Sequence, residues 1–273
     1  MPRRSRLDAE LVRRGLARSR DHAGDLIAAG RVLVGGVVAS KAATGVGTDA
    51  AVELRRGDEP EWASRGAHKL LGALAEFAPH GLVVAGRRCL DAGASTGGFT
   101  DVLLAHGAAE VVAVDVGYGQ LAWRLRNDDR VTVHDRTNVR SLDPGTIGGT
   151  VDLVVADLSF ISLRLVLPAL VACAGPDADL VPMVKPQFEV GRHGLGSGGV
   201  VRDPAARIGA VLDVVAAAGA LGLGLRGAVA SPLPGPAGNV EYFVWLRPRA
   251  AGESADSAAD EAIVRAAVRA GPP

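Results

Sequence analysis

The amino-acid sequence predicts an α/β protein, with a doubly wound, seven-stranded Rossmann-like sheet preceded by a small α+β domain. From Gly66 onward, seven apolar runs of strand length alternate with helical segments. This alternation is typical of a parallel sheet covered by helices on both faces. The first of these runs leads through a glycine-rich turn into a helix. A shorter stretch ahead of Gly66 holds two helical patterns and a hairpin pattern, and 273 residues leave room for both parts.

The N-terminal part is predicted to be a compact helix-helix-hairpin module. Apolar periodicity favours helices over residues 7–16 and 19–30, and Ser19 is a typical N-cap for the second helix. Gly35 and Gly36 lie between two short valine runs, which indicates a two-residue hairpin turn. A module of this size is too small to hold a catalytic site comfortably, and it has the size of a recognition domain.

Composition indicates where the domains begin and end. Residues 1–58 form the small module. The run from Arg55 to Pro60 is polar and breaks helices, so we place the linker there and assign it residues 59–65. The main domain is expected over residues 66–249. Residues 250–273 are rich in Ala, Asp, Glu and Arg and are predicted to be a low-complexity tail.

The main domain opens with a helical apolar pattern and continues as alternating strands and helices. The predicted strands are 87–91, 111–115, 131–134, 152–157, 180–185, 225–230 and 241–246. The predicted helices between them include 99–106, 121–127, 162–174 and 204–218. In a doubly wound sheet, ligands bind at the carboxyl ends of the strands. The residues that follow each strand are therefore the first candidates for chemistry.

The charge of the chain is unevenly distributed. The net charge of the whole sequence is zero, but residues 1–41 contain nine Arg and Lys against four Asp and Glu. This end therefore carries +5 and the rest of the chain −5. A basic segment on an acidic protein localises any attraction to a polyanion in that segment, although many such runs are simply solvated surface.

Several classes of protein are disfavoured by composition. Charged or glycine residues interrupt every apolar run before it reaches the length of a membrane span, and the basic N-terminus lacks the apolar core of a signal peptide. We therefore expect a cytoplasmic protein without membrane contact. Cys89 and Cys173 lie in apolar surroundings without a nearby Cys or His cluster, which predicts buried thiols and no structural metal.

The glycine-rich turn indicates a nucleoside cofactor. Gly93, Gly97 and Gly98 lack the Cβ atoms that would block a ligand, and a helix begins near Phe99, where free N–H groups face the turn. A dinucleotide fingerprint requires glycine where this chain has Ser95, so a dehydrogenase is disfavoured. Asp91 would repel a pyrophosphate but suits the ammonium group of S-adenosylmethionine.

A second carboxylate supports the binding of a nucleoside cofactor, but it does not distinguish a dinucleotide from S-adenosylmethionine. Asp115 ends the next apolar run, where either cofactor would place its ribose hydroxyls. A plain strand-to-helix turn is the simplest alternative for the glycine segment. Because Asp91, Ser95 and Asp115 all occupy positions that suit a nucleoside cofactor, we favour the cofactor hypothesis over a plain turn.

Four charged residues are expected to converge at the carboxyl edge of the sheet. Asp157 and Lys185 end the fourth and fifth strands, and Glu241 begins the seventh. If the seventh strand is antiparallel, these three residues share one edge, and Lys69 reaches it from the preceding helix. Such a cluster can present a lysine amine to a hydroxyl group as a proton acceptor. The alternatives are an exposed helix lysine for Lys69, a turn residue for Asp157 and an ordinary salt bridge for Glu241.

These motifs together resemble the TlyA family of bacterial ribosomal-RNA methyltransferases, which are often named haemolysins. The resemblance rests on the N-terminal module and on segments 64–69, 91–100, 156–162, 185–189 and 238–242, and it covers residues 5 to 247. It implies a catalytic domain similar to the FtsJ ribose methyltransferases, whose Lys-Asp-Lys-Glu tetrad matches Lys69, Asp157, Lys185 and Glu241. It also implies an N-terminal RNA-binding domain of ribosomal-protein type.

The resemblance further implies S-adenosylmethionine-dependent 2′-O-methylation of cytidine in 16S and 23S rRNA, with ribosomal RNA or ribosomal subunits as partners. We expect the cofactor across Asp115 and Asp135, with its methionine end at Asp91 and residues 93–98, and no metal. Phosphate contacts are expected from Arg4, Arg6, Arg18 and Arg20. The chain is expected to be a monomer or a weak oligomer. The alternatives are an RNA-binding ribosome-assembly factor with a vestigial cofactor pocket and, less favoured, a membrane-active haemolysin.

Overall fold

The computed structural model describes residues 4–17, 19–55, 62–191, 194–250, 252 and 254–272. The chain divides into two compact units, Met1–Glu61 and Trp62–Pro273. Each unit has its own apolar core. Within the described residues, no helix combines the length and the apolar character needed to cross a membrane.

The first unit is a small α+β structure. Its elements are β1 (Arg4–Arg6), α1 (Leu7–Arg13), α2 (Arg20–Ala28), β2 (Val32–Val34), β3 (Val37–Val38), β4 (Gly45–Gly47) and β5 (Val52–Leu54). Strands β3, β2 and β5 form one antiparallel sheet, and β1 pairs with β4. Ser19 caps α2 by accepting a hydrogen bond from the His22 amide at 3.1 Å. Gly35 and Gly36 have φ values of 57° and 79°, as the two-residue hairpin between β2 and β3 requires.

The second unit contains the predicted seven-stranded sheet. Its helices are α3 (Gly66–Phe77), α4 (Gly98–Ala105), α5 (Trp123–Arg126), α6 (Leu167–Cys173), α7 (Pro186–Glu189), α8 (Pro204–Ala220) and α9 (Ser257–Ala270). Its strands are β6 (Arg88–Ala92), β7 (Glu110–Val114), β8 (Val131–His134), β9 (Val151–Ala156), β10 (Ala174–Val184), β11 (Leu223–Ala230) and β12 (Tyr242–Pro248).

The strand order of the sheet is β11-β12-β10-β9-β6-β7-β8. Strands β6 to β10 are mutually parallel, whereas β12 is antiparallel to both β10 and β11. The order reverses between β6 and β9, which makes this point the topological switch of the sheet. The start of β12 therefore lies at the same edge as the ends of β9 and β10. The predicted fold class is confirmed.

Apolar residues on alternate strand positions build a core on each face of the sheet. Cys89 and Val111 pack in the layer that contains α3 and α4, whereas their neighbours Leu90 and Val112 pack in the layer of α6 and α8. This alternation follows from the two-residue period of a strand. Burial of one large apolar side chain stabilises the fold by roughly 1.5–3 kcal/mol, so both layers hold the sheet that carries the site.

The following four segments differ from the sequence prediction. The helix expected over 162–174 begins as a 3-10 turn at Leu163–Leu165 before α6, and the helix expected over 121–127 is the single turn α5. The expected tail is not a separate segment, because α9 packs on α8 and β11 and buries Val264, Ala267 and Val268. The last residues of the expected linker belong to the second unit, where Ala63 is buried and its amide donates to Asp101 at 2.8 Å.

Candidate active site

Four charged side chains meet at the carboxyl edge of the sheet. Asp157 directly follows β9, Lys185 directly follows β10, and Glu241 directly precedes β12. Lys69 reaches the same edge from the first part of α3. The charges alternate along the cluster: Lys69 Nζ lies 2.6 Å from Glu241 Oε2, and Lys185 Nζ lies 2.6 Å from Asp157 Oδ1 and 4.0 Å from Glu241 Oε1.

The burial of this tetrad requires that its charges be paired. Glu241 is 1% exposed and Lys185 is 6% exposed, and isolated charges in such surroundings are strongly disfavoured. One Glu241 oxygen accepts from Lys69, whereas the other, Oε1, is buried and has no hydrogen-bond partner among the described residues. This unpartnered acceptor lies 4.0 Å from Lys185 Nζ and has capacity for one further hydrogen bond.

Two residues of the segment after β9 were not predicted from sequence. Lys185 Nζ donates a hydrogen bond of 2.9 Å to Ser159 Oγ. Phe160 is 92% exposed and stacks at 5.4 Å, between ring centroids, on Phe188. The Phe160 φ of 64° lies in the left-handed region, which is uncommon for a non-glycine residue and typical of functional sites. Both lie in segment 156–162, which contributes to the family resemblance, but the sequence assigns neither of them a role.

A buried carboxylate joins the segments that carry Asp157 and Lys185. Glu189 ends α7, and its side chain accepts hydrogen bonds from Ser162 Oγ at 2.5 Å and from the Leu163 amide at 2.7 Å. Arg164 Nε lies 3.3 Å from the same carboxylate. Because these donors stand a few residues after Asp157 and Glu189 stands four residues after Lys185, the two segments are fixed to each other.

The glycine-rich turn lies beside the tetrad. Gly93 has a φ of 87°, and a Cβ atom there would lie 2.6 Å from the backbone oxygen of Asp157. The turn and the segment after β9 can approach this closely only because Gly93 has no side chain. Gly97, with a φ of 97°, is the N-cap of α4 and Gly98 is the first residue of that helix.

Asp91 is placed differently from the sequence expectation. Its side chain is fully buried: Oδ2 accepts hydrogen bonds from the amide and hydroxyl of Thr100 at 2.8 and 2.7 Å, and Oδ1 has no hydrogen-bond partner among the described residues. Burial raises the pKa of Asp91 to about 7. This contact fixes the first turn of α4 relative to the end of β6, and the glycine turn connects these two elements.

Asp115 and Asp135 hold the loops beside the glycine turn. Asp115 follows β7 and accepts hydrogen bonds from the amides of Ser95 and Gly117 at 2.8 and 2.7 Å. Asp135 follows β8, lies 2.6 Å from the Arg126 guanidinium, and has its pKa lowered by that hydrogen bond. Both carboxylates lie at the carboxyl edge of the sheet.

A cleft of about 690 Å³ opens along this edge. Of the predicted residues, its lining includes Gly93, Ser95, Gly98, Phe99, Lys69 and Asp157. Segments 64–66 and 233–236 close its other sides. The other predicted residues of the main domain are not part of this lining: Asp91, Gly97, Asp115, Asp135, Lys185 and Glu241. Within the described ranges, no group of three His, Cys, Asp or Glu side chains could hold a metal ion.

In the first unit, exposed arginines surround one buried aspartate. The guanidinium groups of Arg6 and Arg20 each lie 2.9 Å from Asp8, and their side chains are 53% and 60% exposed. Arg6 holds the pKa of Asp8 well below its ordinary value. Arg4 is also exposed, and Arg18 lies outside the described residues. Asp8 thus orients two cations that remain open to solvent.

Comparison with known proteins identifies the family. The model of the FtsJ-like methyltransferase family matches residues 62–248. The protein named 16S/23S rRNA (cytidine-2′-O)-methyltransferase TlyA of Mycobacterium tuberculosis is 65% identical over 247 residues, 90% of this chain and 91% of that protein. The chain belongs to the TlyA family. The second unit is therefore a methyltransferase domain, and the S4 domain model matches residues 5–52 of the first unit.

Other TlyA relatives carry a different name. Hemolysin A of Brachyspira hyodysenteriae is 37% identical over 240 residues, 87% of this chain and 98% of that protein. A solved structure from Streptococcus thermophilus, described as a candidate hemolysin, is 35% identical and has a TM-score of 0.74. It covers 98% of this chain and 97% of that structure. The fold of the TlyA family therefore extends over both units of the chain.

Proposed function

We propose that this TlyA-family protein transfers a methyl group from S-adenosylmethionine to the 2′-hydroxyl of cytidine in 16S and/or 23S ribosomal RNA. The observation that carries the proposal is the tetrad of Lys69, Asp157, Lys185 and Glu241, closed by contacts of 2.6 Å beside a cleft bordered by a glycine turn. The name of the 65% identical relative specifies the same substrate for that relative.

The residues around the cleft fit an adenosyl cofactor. The turn from Gly93 to Phe99 lets a ligand approach the backbone. Asp115 lies outside the cleft lining and accepts the amides of Ser95 and Gly117, and we propose that its remaining lone pairs accept hydrogen bonds from the ribose hydroxyls. We propose that Asp135 contributes on the same side, and that Asp91 acts indirectly by holding Thr100. When bound, the cofactor supplies an activated methyl group on a sulfonium, so the reaction requires no metal.

Lys185 is the proposed proton acceptor. In its amine form, Nζ would take the proton of the 2′-hydroxyl while the ribose oxygen bonds to the methyl carbon, whose bond to sulfur would break and leave a neutral thioether. Asp157 holds Nζ at 2.6 Å, and Glu241 Oε1 at 4.0 Å is free to accept a hydrogen bond from the same hydroxyl. Lys69 neutralises the other oxygen of Glu241 and lies at the cleft, where it helps to position the nucleotide. These contacts act by fixing the attack geometry.

We propose that residues 1–58 bind the RNA. Arg4, Arg6, Arg18 and Arg20 would contact phosphates, which position the protein without reading sequence. Exposed Phe160 offers a stacking surface for the base of an extruded nucleotide. The protein is proposed to act as a monomer or weak oligomer on ribosomal RNA or on ribosomal subunits.

The test is methyl incorporation from tritiated cofactor into purified ribosomal subunits, followed by mapping of 2′-O-methyl sites. The wild type should label cytidine, and Lys185→Ala should lose at least about 100-fold in rate. Arg265→Ala removes one positive charge from exposed α9 and is the matched control, with activity unchanged. Full activity in a folded Lys185→Ala protein would refute the assignment. RNA binding without methyl incorporation by the wild type would instead support the assembly-factor alternative.

A further inference from the structure

Lys185 has a hydrogen-bond partner outside the tetrad. Its Nζ lies 2.9 Å from Ser159 Oγ and 2.6 Å from Asp157 Oδ1. An ammonium group has three N–H bonds, so these two contacts determine the direction of the third. We propose that Ser159 is a positioning residue, whose hydroxyl aims Lys185 Nζ at the nucleotide. This inference rests on the proposed function.

The position of the Ser159 hydroxyl is set by its surroundings. Phe160 follows it with a left-handed φ of 64°, a conformation that persists only when neighbouring contacts hold it. Those contacts are the ring stacking of Phe160 on Phe188 and the hydrogen bonds that Glu189 accepts from Ser162 and Leu163. Ser159 is therefore held against Lys185 before any ligand binds.

A hydroxyl suits this position because its oxygen accepts a hydrogen bond from Nζ in either protonation state. An ammonium group donates to Ser159 and Asp157, and a neutral amine can give its two N–H bonds to the same two oxygens, so its lone pair lies in the third direction. Ser159 can thus keep Nζ in place through both protonation states, which a proton acceptor must pass through during each turnover.

The charged groups that face Lys185 come from three other elements. Asp157 follows β9, Glu241 precedes β12 at 4.0 Å, and Lys69 of α3 lies on the far side of Glu241. Ser159 is the neutral contact in this set. Because Ser159 is exposed, removal of its hydroxyl leaves no cavity in the core, and the melting temperature should stay within about 2 °C.

The contact can be tested in the free protein by NMR of the lysine ammonium groups. The chain contains only Lys41, Lys69 and Lys185, so selective ¹⁵N-lysine labelling gives at most three signals. Lys185→Arg assigns the signal of interest. Ser159→Ala should shift the Lys185 signal while leaving that of Lys41 in place, and Ser159→Thr, which keeps the hydroxyl, should preserve it. An unmoved Lys185 signal in Ser159→Ala overturns the proposal.

Kinetics supply the second readout. Ser159→Ala should lower kcat about 10-fold or more, as expected for loss of a hydrogen bond to a charged group, while KM for cofactor and RNA stays within about twofold. Ser159→Thr should recover most of kcat, and Ser254→Ala, at an exposed position in the chain beyond β12, is the matched control. Wild-type kcat in Ser159→Ala, or no recovery in a folded Ser159→Thr, overturns the proposal. A wild type without methyl transfer refutes the proposed function instead, and the NMR result still stands.

Discussion

Gly72 is predicted to keep α3 close enough for Lys69 to reach Glu241. A Cβ atom at Gly72 would lie 2.7 Å from Pro232 Cδ and 2.8 Å from Cγ. Pro232 belongs to the segment between β11 and β12 that ends at Glu241, and Lys69 precedes Gly72 by one helical turn. Carbon atoms in contact prefer about 3.5–4.0 Å, so Gly72→Ala must push α3 and this segment apart by about 1 Å.

Two opposing effects decide the stability of Gly72→Ala. Replacement of an interior helix glycine by alanine stabilises a helix by roughly 0.5–1 kcal/mol. Overpacking against a rigid proline ring costs about 1–3 kcal/mol, so the steric effect should prevail. Gly209 of α8 is the matched control, because a Cβ there meets nothing within 4 Å. Gly209→Ala should raise the melting temperature by about 1–4 °C, whereas Gly72→Ala should lower it or leave it unchanged.

The rate of methyl transfer should also differ between Gly72→Ala and Gly209→Ala. The Lys69–Glu241 contact of 2.6 Å should lengthen in Gly72→Ala. Since a hydrogen bond between charged groups contributes about 1.5–3 kcal/mol, kcat should fall by up to roughly 10- to 100-fold, with Gly209→Ala at the wild-type rate. Pro232→Ala removes the clashing ring atoms and should restore activity to Gly72→Ala. The steric argument is refuted if Gly72→Ala gains as much stability as Gly209→Ala and keeps the full rate.

Two further predictions concern Asp91 and Phe160. Burial raises the pKa of Asp91 from its ordinary value of 3.8 to about 7, so the folded state retains a proton that the unfolded chain loses. Stability should therefore fall as pH rises from about 4 to 7, and Asp91→Asn should flatten that slope in urea unfolding curves; an unchanged slope would contradict the assigned shift. Phe160 is 92% exposed, so Phe160→Ala should leave the melting temperature unchanged. If Phe160 stacks on a base, kcat/KM for RNA should fall by about 5- to 150-fold, corresponding to about 1–3 kcal/mol, and an unaltered value would exclude that role.

The strands were predictable because their signal is local. Val111 to Val114 and Leu153 to Val155 are apolar runs rich in β-branched residues, and both belong to buried strands that lie within a residue of the predicted bounds. Strand β1 was missed because Arg4 to Arg6 has no apolar pattern, and its pairing with β4 joins residues some forty positions apart. Helix α9 is alanine-rich, and its burial depends on the surface that α8 and β11 offer.

The site was partly predictable because the ends of the strands have a local signal in the sequence. The charges at strand ends can be identified once the strand order is assumed, and Lys69, Asp157, Lys185 and Glu241 do lie in contact. Ser159 and Glu189 lie in segments that contribute to the family resemblance, but their roles could not be predicted, because a serine or a glutamate near a strand end is common. Their relevance comes from the partner each one meets, Lys185 for Ser159 and the Ser162–Leu163 turn for Glu189.

The sequence by itself determined the class of sheet, the glycine turn after the first strand of the main domain and the basic character of the N-terminal unit. Each of these depends on neighbouring residues, through side-chain periodicity, backbone freedom or local charge. Only the tertiary structure decided that Asp91 is fully buried and bound to Thr100, and that Lys69 meets Glu241 across 172 positions of the chain. Such contacts depend on how helices pack on the sheet. Because the interior is closely packed, one added atom, such as a Cβ at Gly72, can change the distance between two elements.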